Sequence, residues 1–154
     1  MSRWIARAEQ TLTEEVPAAP DAVRNFYVDL NNMKLVHPLV VSVRSTARSE
    51  HADGYTQSYR VRDRIPLGPF TIPTSYSARL CVPLTGDVAA EVRQFPRVRL
   101  HSRVTFEPVE AGTRVIERMR IEAPLPLAGV TIREAVKAHV TMLAGIRRYF
   151  DVAG

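Results

Sequence analysis

One cysteine, Cys81, stands alone in the 154 residues, so a disulfide within the chain is excluded. No run of about 18 apolar residues occurs, which excludes a transmembrane helix, and no apolar N-terminal stretch suggests secretion. The cytoplasm is therefore the expected location. No Gly-rich phosphate loop or nucleophile elbow is present, and the histidines at 37, 51, 101 and 139 lack the close spacing of metal ligands. No metal and no cofactor is implied. Linkers, repeats and low-complexity segments are also missing, so residues 1–154 are expected to form one domain. A chain of this length buries roughly 68–70% of its unfolded surface without staples.

Lysine is scarce as well: Lys34 and Lys137 are the only two, so the net charge of +5 and the pI near 9.9 are carried by arginine. Much of that arginine follows a period of two. Val98, Leu100, Val104 and Phe106 alternate with Arg97, Arg99, His101 and Arg103, and Val115, Met119 and Ile121 alternate with Arg114, Arg118 and Arg120. Glu110-Ala111-Gly112 joins the two runs as an antiparallel hairpin. Further strands are expected near 87–95, 71–82, 55–65 and 40–48, separated at Pro83 to Gly86, Pro66 to Pro69 and Glu50 to Gly54, with a first strand over Ile5 to Leu12. Pro20-Asp21 opens a helix with Val23, Phe26, Tyr27 and Leu30 on one face; Asn31 or Asn32 is expected to cap a second short turn, which His37-Pro38 ends.

From Ile132 to Phe150 the period becomes helical, with Ile132, Val136, Leu143, Ile146 and Phe150 on one stripe and Arg133, Lys137 and Arg148 away from it. The expected architecture is α+β: a curved antiparallel sheet of about seven strands, two short helices after the first strand, and a long closing helix over about 129–151. A sheet curled around one helix leaves a hollow, the default place for a ligand.

Parity names the side chains that face this hollow. Glu117 shares the face of Val115, Met119 and Ile121; a carboxylate aimed inward has a raised pKa unless a cation or donor meets it, and can then move protons. His139, centred on the helix stripe between Val136 and Leu143, is its candidate partner. Glu117 and His139 are thus the candidate catalytic pair, against the plainer alternative of a satisfied core contact. The same parity turns inward Gln57, Tyr59 and Asp63 with Val61 and Ile65, Tyr76 with Ile72 and Leu80, and Ser102 between Leu100 and Val104. These groups can orient a ligand's oxygen atoms or fill core volume. The outer face carries Arg60, Arg62, Arg64, Arg99, Arg103, Arg114, Arg118 and Arg120. Such a face can make transient contact with an anionic membrane surface or an acidic protein, or serve as solvated surface; with no clustered aromatics, nucleic acid is not expected.

The segment VPAAPDAVRNFYVDLNNMKLVHPLVVSVR (16–44), the stretch GTRVIERMRIEAP (112–124) and the closing helix together resemble the START-like superfamily, and within it the bacterial polyketide cyclase/dehydrase branch. Met33, Leu35 and His37 stand where that branch carries an aromatic W-x-x-W-x-P type stretch. The resemblance implies a helix-grip fold whose cavity, between sheet and helix, holds lipids, polyketides, steroids or similar molecules. It places His37 at the corner closing one end of the cavity. The expected ligand-binding set is His37, Gln57, Tyr59, Phe70, Tyr76, Ser102, Glu117, Met119, His139 and Leu143. The segment RIPLGPFTIP (64–73), apolar yet broken by proline, is either a lid over the cavity mouth or a bent strand pair. Carriage or sequestration of an apolar or amphipathic small molecule is the expected function; the alternative is a cyclase/dehydrase-type enzyme, which an open pocket with Glu117 in hydrogen-bond reach of His139 would favour.

Overall fold

A computed structural model describes residues 4–153. The chain runs through β1 (Ile5–Val16), α1 (Pro20–Val28), a 3-10 turn (Leu30–Asn32), α2 (Met33–Val36), β2 (Val40–His51), β3 (Gly54–Leu67), β4 (Phe70–Pro83), β5 (Val88–Gln94), β6 (Val98–Val109), β7 (Gly112–Pro124) and α3 (Ala128–Ala153). The strands form one seven-stranded sheet in the order β1-β7-β6-β5-β4-β3-β2, every neighbouring pair antiparallel. Strands β2 to β7 are thus a meander built from short local connections, and β1 returns to lie beside the last strand.

Alternation along β7 is clean: Thr113, Val115, Glu117, Met119, Ile121 and Ala123 are buried, while Arg118 and Arg120 are exposed. Met119 and Ile121 join Leu100 in a cluster against Ile132, Ala135 and Val136 of α3, which fixes the face the helix covers. Farther along α3, Met142, Leu143 and Ile146 pack with Val23, Phe26, Tyr27, Met33 and Val36 of the small helices and with Val16, Val104 and Val115. Gly145 permits this approach, because a Cβ there would stand 3.0 Å from Cβ of Val36 and 3.1 Å from its carbonyl oxygen. The C-terminal half of α3 is therefore anchored by α1 and α2, and its N-terminal half spans the sheet. None of the described helices is long and apolar enough to cross a membrane.

Two local expectations need correction, and of the two readings of residues 64–73 the strand pair is the one observed. β1 continues past Leu12 to Val16, pairing with β7 throughout, because a partner strand rewards extension that the polar run Thr13-Glu14-Glu15 does not announce. Asn32 does occupy the N-cap of α2 but makes no side-chain capping bond, donating its amide instead to the carbonyl of Phe26, while the 3-10 turn before it is capped by Asp29, whose side chain accepts from the backbone N–H of Asn31. Residues 64–73 keep strand pairing, with Ile65 opposite Ile72 and Leu67 opposite Phe70, closed by Gly68 and Pro69. Gly68 takes φ 59°, the positive angle a two-residue hairpin turn requires at its first central position. Proline is tolerated because this tip projects past its neighbours: β2 pairs with β3 only as far as Asp63, and β5 with β4 only from Ser77 to Cys81.

Candidate functional site

Glu117 lies completely buried beneath α3. Its Oε2 accepts a hydrogen bond from the hydroxyl of Tyr27 at 2.7 Å, and its Oε1 lies 2.7 Å from Nδ1 of His139. An ionised carboxylate can only accept, so Nδ1 carries the proton between them and Nε2 is left as the ring's outer nitrogen. Burial opposes charge on Glu117, but the facing His139 charge and the hydrogen bonds from His139 and Tyr27 outweigh it and hold the carboxyl below its ordinary range. Burial equally opposes charge on His139, and Glu117 overcomes it, holding the imidazole above its usual pKa. Tyr27 is pushed far up by burial and by the neighbouring carboxylate, so it stays protonated as a donor.

The ring of His37, which follows α2, meets that of His139 edge-on at 5.7 Å between centroids. Burial, then repulsion from His139, pushes His37 down to about 3, so it is neutral near pH 7. Its Nδ1 accepts from the backbone N–H of Leu39 at 3.3 Å, which places its proton on Nε2.

His37 and His139 form part of the wall of a cavity of about 290 Å³ between the N-terminal half of α3 and strands β3 to β7. The remaining wall is mostly carbon, from Leu100, Ile121, Val92, Ile65, Ile72, Val130 and Ala135, with Phe95 at the rim, 93% exposed. Asp63, Thr74 and Tyr76 add polar groups from β3 and β4. Burial raises the Asp63 carboxyl to about 6, with the charge of His139 pulling it part of the way back. The volume is near the lower end of small-molecule sites, which run from about 300 Å³ upward.

Among the residues proposed from sequence, the structure brings His37, Asp63, Tyr76 and His139 together on this wall, with Glu117 directly behind His139. The others lie elsewhere. Gln57 donates its amide to the carbonyls of Ala47 and Ser58, tying down a bulge in β2. Tyr59 packs among Val61, Ala78 and Leu80, its hydroxyl donating to the carbonyl of Val28. Ser102 is buried beside Tyr27, and Met119 and Leu143 belong to packed clusters. Phe70 is 72% exposed at the hairpin tip. Two functional candidates escaped the sequence reading. Tyr27 passes as a core aromatic, although a hydroxyl on a buried helix face demands a partner; Thr74 shares parity with Ile72 and Tyr76, which is signal enough to place it inward.

Solved structures with the same architecture include the Zhui aromatase/cyclase from Streptomyces sp. R1128, at TM-score 0.67 and 15% identity, covering 96% of this chain and 94% of that one. A STAR-related lipid transfer protein from Xanthomonas axonopodis matches at TM-score 0.66 and 16% identity, covering 98% and 96%. The chain has the START-like helix-grip fold. A protein from Thermus thermophilus matches it at TM-score 0.64 and 21% identity, over 97% of this chain and 99% of the other. No protein-family model matches the sequence, and no curated protein does. At these identities the likeness is one of fold, and the chemistry must be argued from the site itself.

Proposed function

We propose that this START-like protein binds an apolar or amphipathic small molecule in the cavity beneath α3. The observation that carries this reading is the cavity itself: an apolar wall closed by a few convergent polar groups, the composition of a small-molecule site. The aromatase/cyclase and the lipid transfer protein of the same fold support it. Native mass spectrometry of freshly purified protein is expected to show a retained small molecule, and the fluorescent probe N-phenyl-1-naphthylamine is expected to bind and be displaced by it. Ala135→Trp fills the hollow from α3 and is expected to weaken probe binding at least about 10-fold with the melting midpoint nearly unchanged, since one lost anchor pocket is worth more than about 1.4 kcal/mol. Undiminished probe binding in that variant overturns the placement of the site.

A second reading has an observation of its own. His139 lines an open cavity while Glu117 grips its Nδ1, so Nε2 is presented with a defined tautomer and a raised pKa, the arrangement of an acid–base group with an orienting carboxylate. In a cyclase or dehydrase His139 would exchange the proton and Glu117 would be a positioning residue acting through it. Glu117→Gln is then expected to lower turnover of a model polyketide about 10²–10⁴-fold while sparing binding. In a carrier the same change shifts affinity alone.

A further inference from the structure

Buried polar groups in this molecule are, with few exceptions, answered. The carboxylate of Glu117 has Tyr27 and His139, the amide of Gln57 has two carbonyls, and the hydroxyl of Thr113 donates to the carbonyl of Ala18. The exceptions among the described residues are Oδ1 of Asp63 and Oγ1 of Thr74, both removed from solvent and both without a hydrogen-bond partner. They are not scattered. Asp63 and Thr74 stand directly opposite each other across the β3–β4 ladder, and both belong to the cavity wall. Asp63 as a whole is only 7% exposed. An unanswered buried acceptor costs on the order of 1–3 kcal/mol, more for a charged one, so two side by side in one cavity point to a partner supplied from outside the chain.

We propose that Asp63 and Thr74 form a recognition site for a hydroxyl group carried by the apolar ligand, the hydroxyl donating to Oδ1 of Asp63 while accepting from the hydroxyl of Thr74. This rests on the reading that the cavity holds an apolar molecule, and it narrows the ligand to a neutral alcohol or phenol. One hydroxyl oxygen answers both orphans because it donates to the Asp63 carboxylate and accepts the Thr74 proton at once; a carbonyl, which only accepts, would answer Thr74 alone, and an N–H, which only donates, would leave the Thr74 proton unanswered. A cationic amine fits less well. The imidazole of His139, whose pKa Glu117 holds above its usual value, shares the cavity wall with Asp63, and its protonated form would repel a second cation in a site of low dielectric.

The test compares 2-naphthol, naphthalene and 2-naphthylmethylammonium by calorimetric or fluorescence titration at pH 7.5. The expected order has 2-naphthol about 10-fold tighter than naphthalene, from two modest hydrogen bonds, with the ammonium weakest. Thr74→Val, nearly isosteric, is expected to lose about 3–10-fold toward 2-naphthol and none toward naphthalene; Asp63→Asn should likewise narrow the gap. Because naphthalene reports cavity integrity within each variant, loss of fold is recognised at once, and Thr74→Ser, which keeps the hydroxyl, should retain the preference. Equal affinity of 2-naphthol and naphthalene overturns the hydroxyl site while the apolar cavity stands. Tightest binding of the ammonium overturns it as well, and failure of all three to bind overturns the cavity reading on which it rests.

Discussion

The pairing of Glu117 with His139 shows how much one buried side chain depends on its neighbours. Alone at complete burial, a carboxylate would be neutral; with Tyr27 and His139 it is ionised and acceptor-only. Replacing Glu117 by Gln removes the charge that holds His139 up, so the imidazole is expected to titrate lower, which an NMR titration of its ring protons reads directly. An unchanged His139 titration would remove Glu117 from any role in setting that ring's charge. Tyr27→Phe deletes a donor without changing shape and leaves Oε2 unanswered, with an expected cost of about 1–3 kcal/mol in urea denaturation. On the outer face, by contrast, Arg114 with Glu15 and Arg93 with Glu91 are solvent-exposed pairs worth roughly 0–1 kcal/mol each. Charge alone therefore says little about stability here; burial decides which pair matters.

At the scale of elements, α3 has two halves with different duties. Ile146, fully buried against α1 and α2, is an anchor, and Ile146→Ala is expected to cost about 2–5 kcal/mol of folding stability by chemical denaturation. Ala135 and Ala138, by contrast, are small residues over the cavity, and their size leaves space that Leu or Ile would fill. Gly145→Ala tests the close helix contact: its Cβ would press on Val36, and a loss of about 1–3 kcal/mol is expected from overpacking unless α2 shifts away. The β3–β4 tip is the other element whose duty is set by position. Ile65 and Ile72 reach the cavity wall, whereas Phe70 at the turn points to solvent.

For the whole molecule, the titrating groups around the cavity give stability a defined pH dependence. His37 is depressed to about 3 when folded and titrates near 6.5 when unfolded, so the unfolded chain binds the extra proton and stability falls as pH drops from about 6.5 toward 3, by up to about 1.4 kcal/mol per pH unit. Glu117, depressed in the fold, adds to this loss below the unfolded carboxylate range, since its contribution is present above that range and disappears as pH falls through the folded value. Asp63 acts the other way. Its folded value of about 6 against 3.8 means that protonation favours the fold between those limits, which partly offsets His37. At the alkaline end, the raised His139 stabilises fully below about 6.5 and loses that contribution as pH rises through its folded pKa. Urea midpoints measured from about pH 6.5 to pH 4 are expected to fall, and His37→Gln is expected to flatten or reverse the fall as the opposing Asp63 contribution is left; an equally steep profile in that variant would show that His37 is not the acid-sensitive group.

Periodicity in the sequence was sufficient for the strands, the β6–β7 hairpin and the closing helix, because each element buries one face and repeats apolar residues at its own spacing, two along β6 and β7 and helical along α3, whereas the place of β1 beside β7 came only from the fold. Parity also turned Glu117, Asp63 and Tyr76 inward, since a strand that buries Val115 and Met119 must bury the residue between them in the same row. Parity assigns a face and no more. Which inward groups share a cavity depends on where α3 leaves the sheet uncovered, and that is set by Gly145 meeting Val36 and by the anchoring of Ile146, contacts between segments more than 100 residues apart in sequence. For that reason Gln57, Tyr59, Met119 and Leu143 became packing while His37, Asp63 and Thr74 became wall. The tie from Tyr27 to Glu117 spans 90 residues and has no local signature, so only the tertiary structure could bring the hydroxyl to the carboxylate.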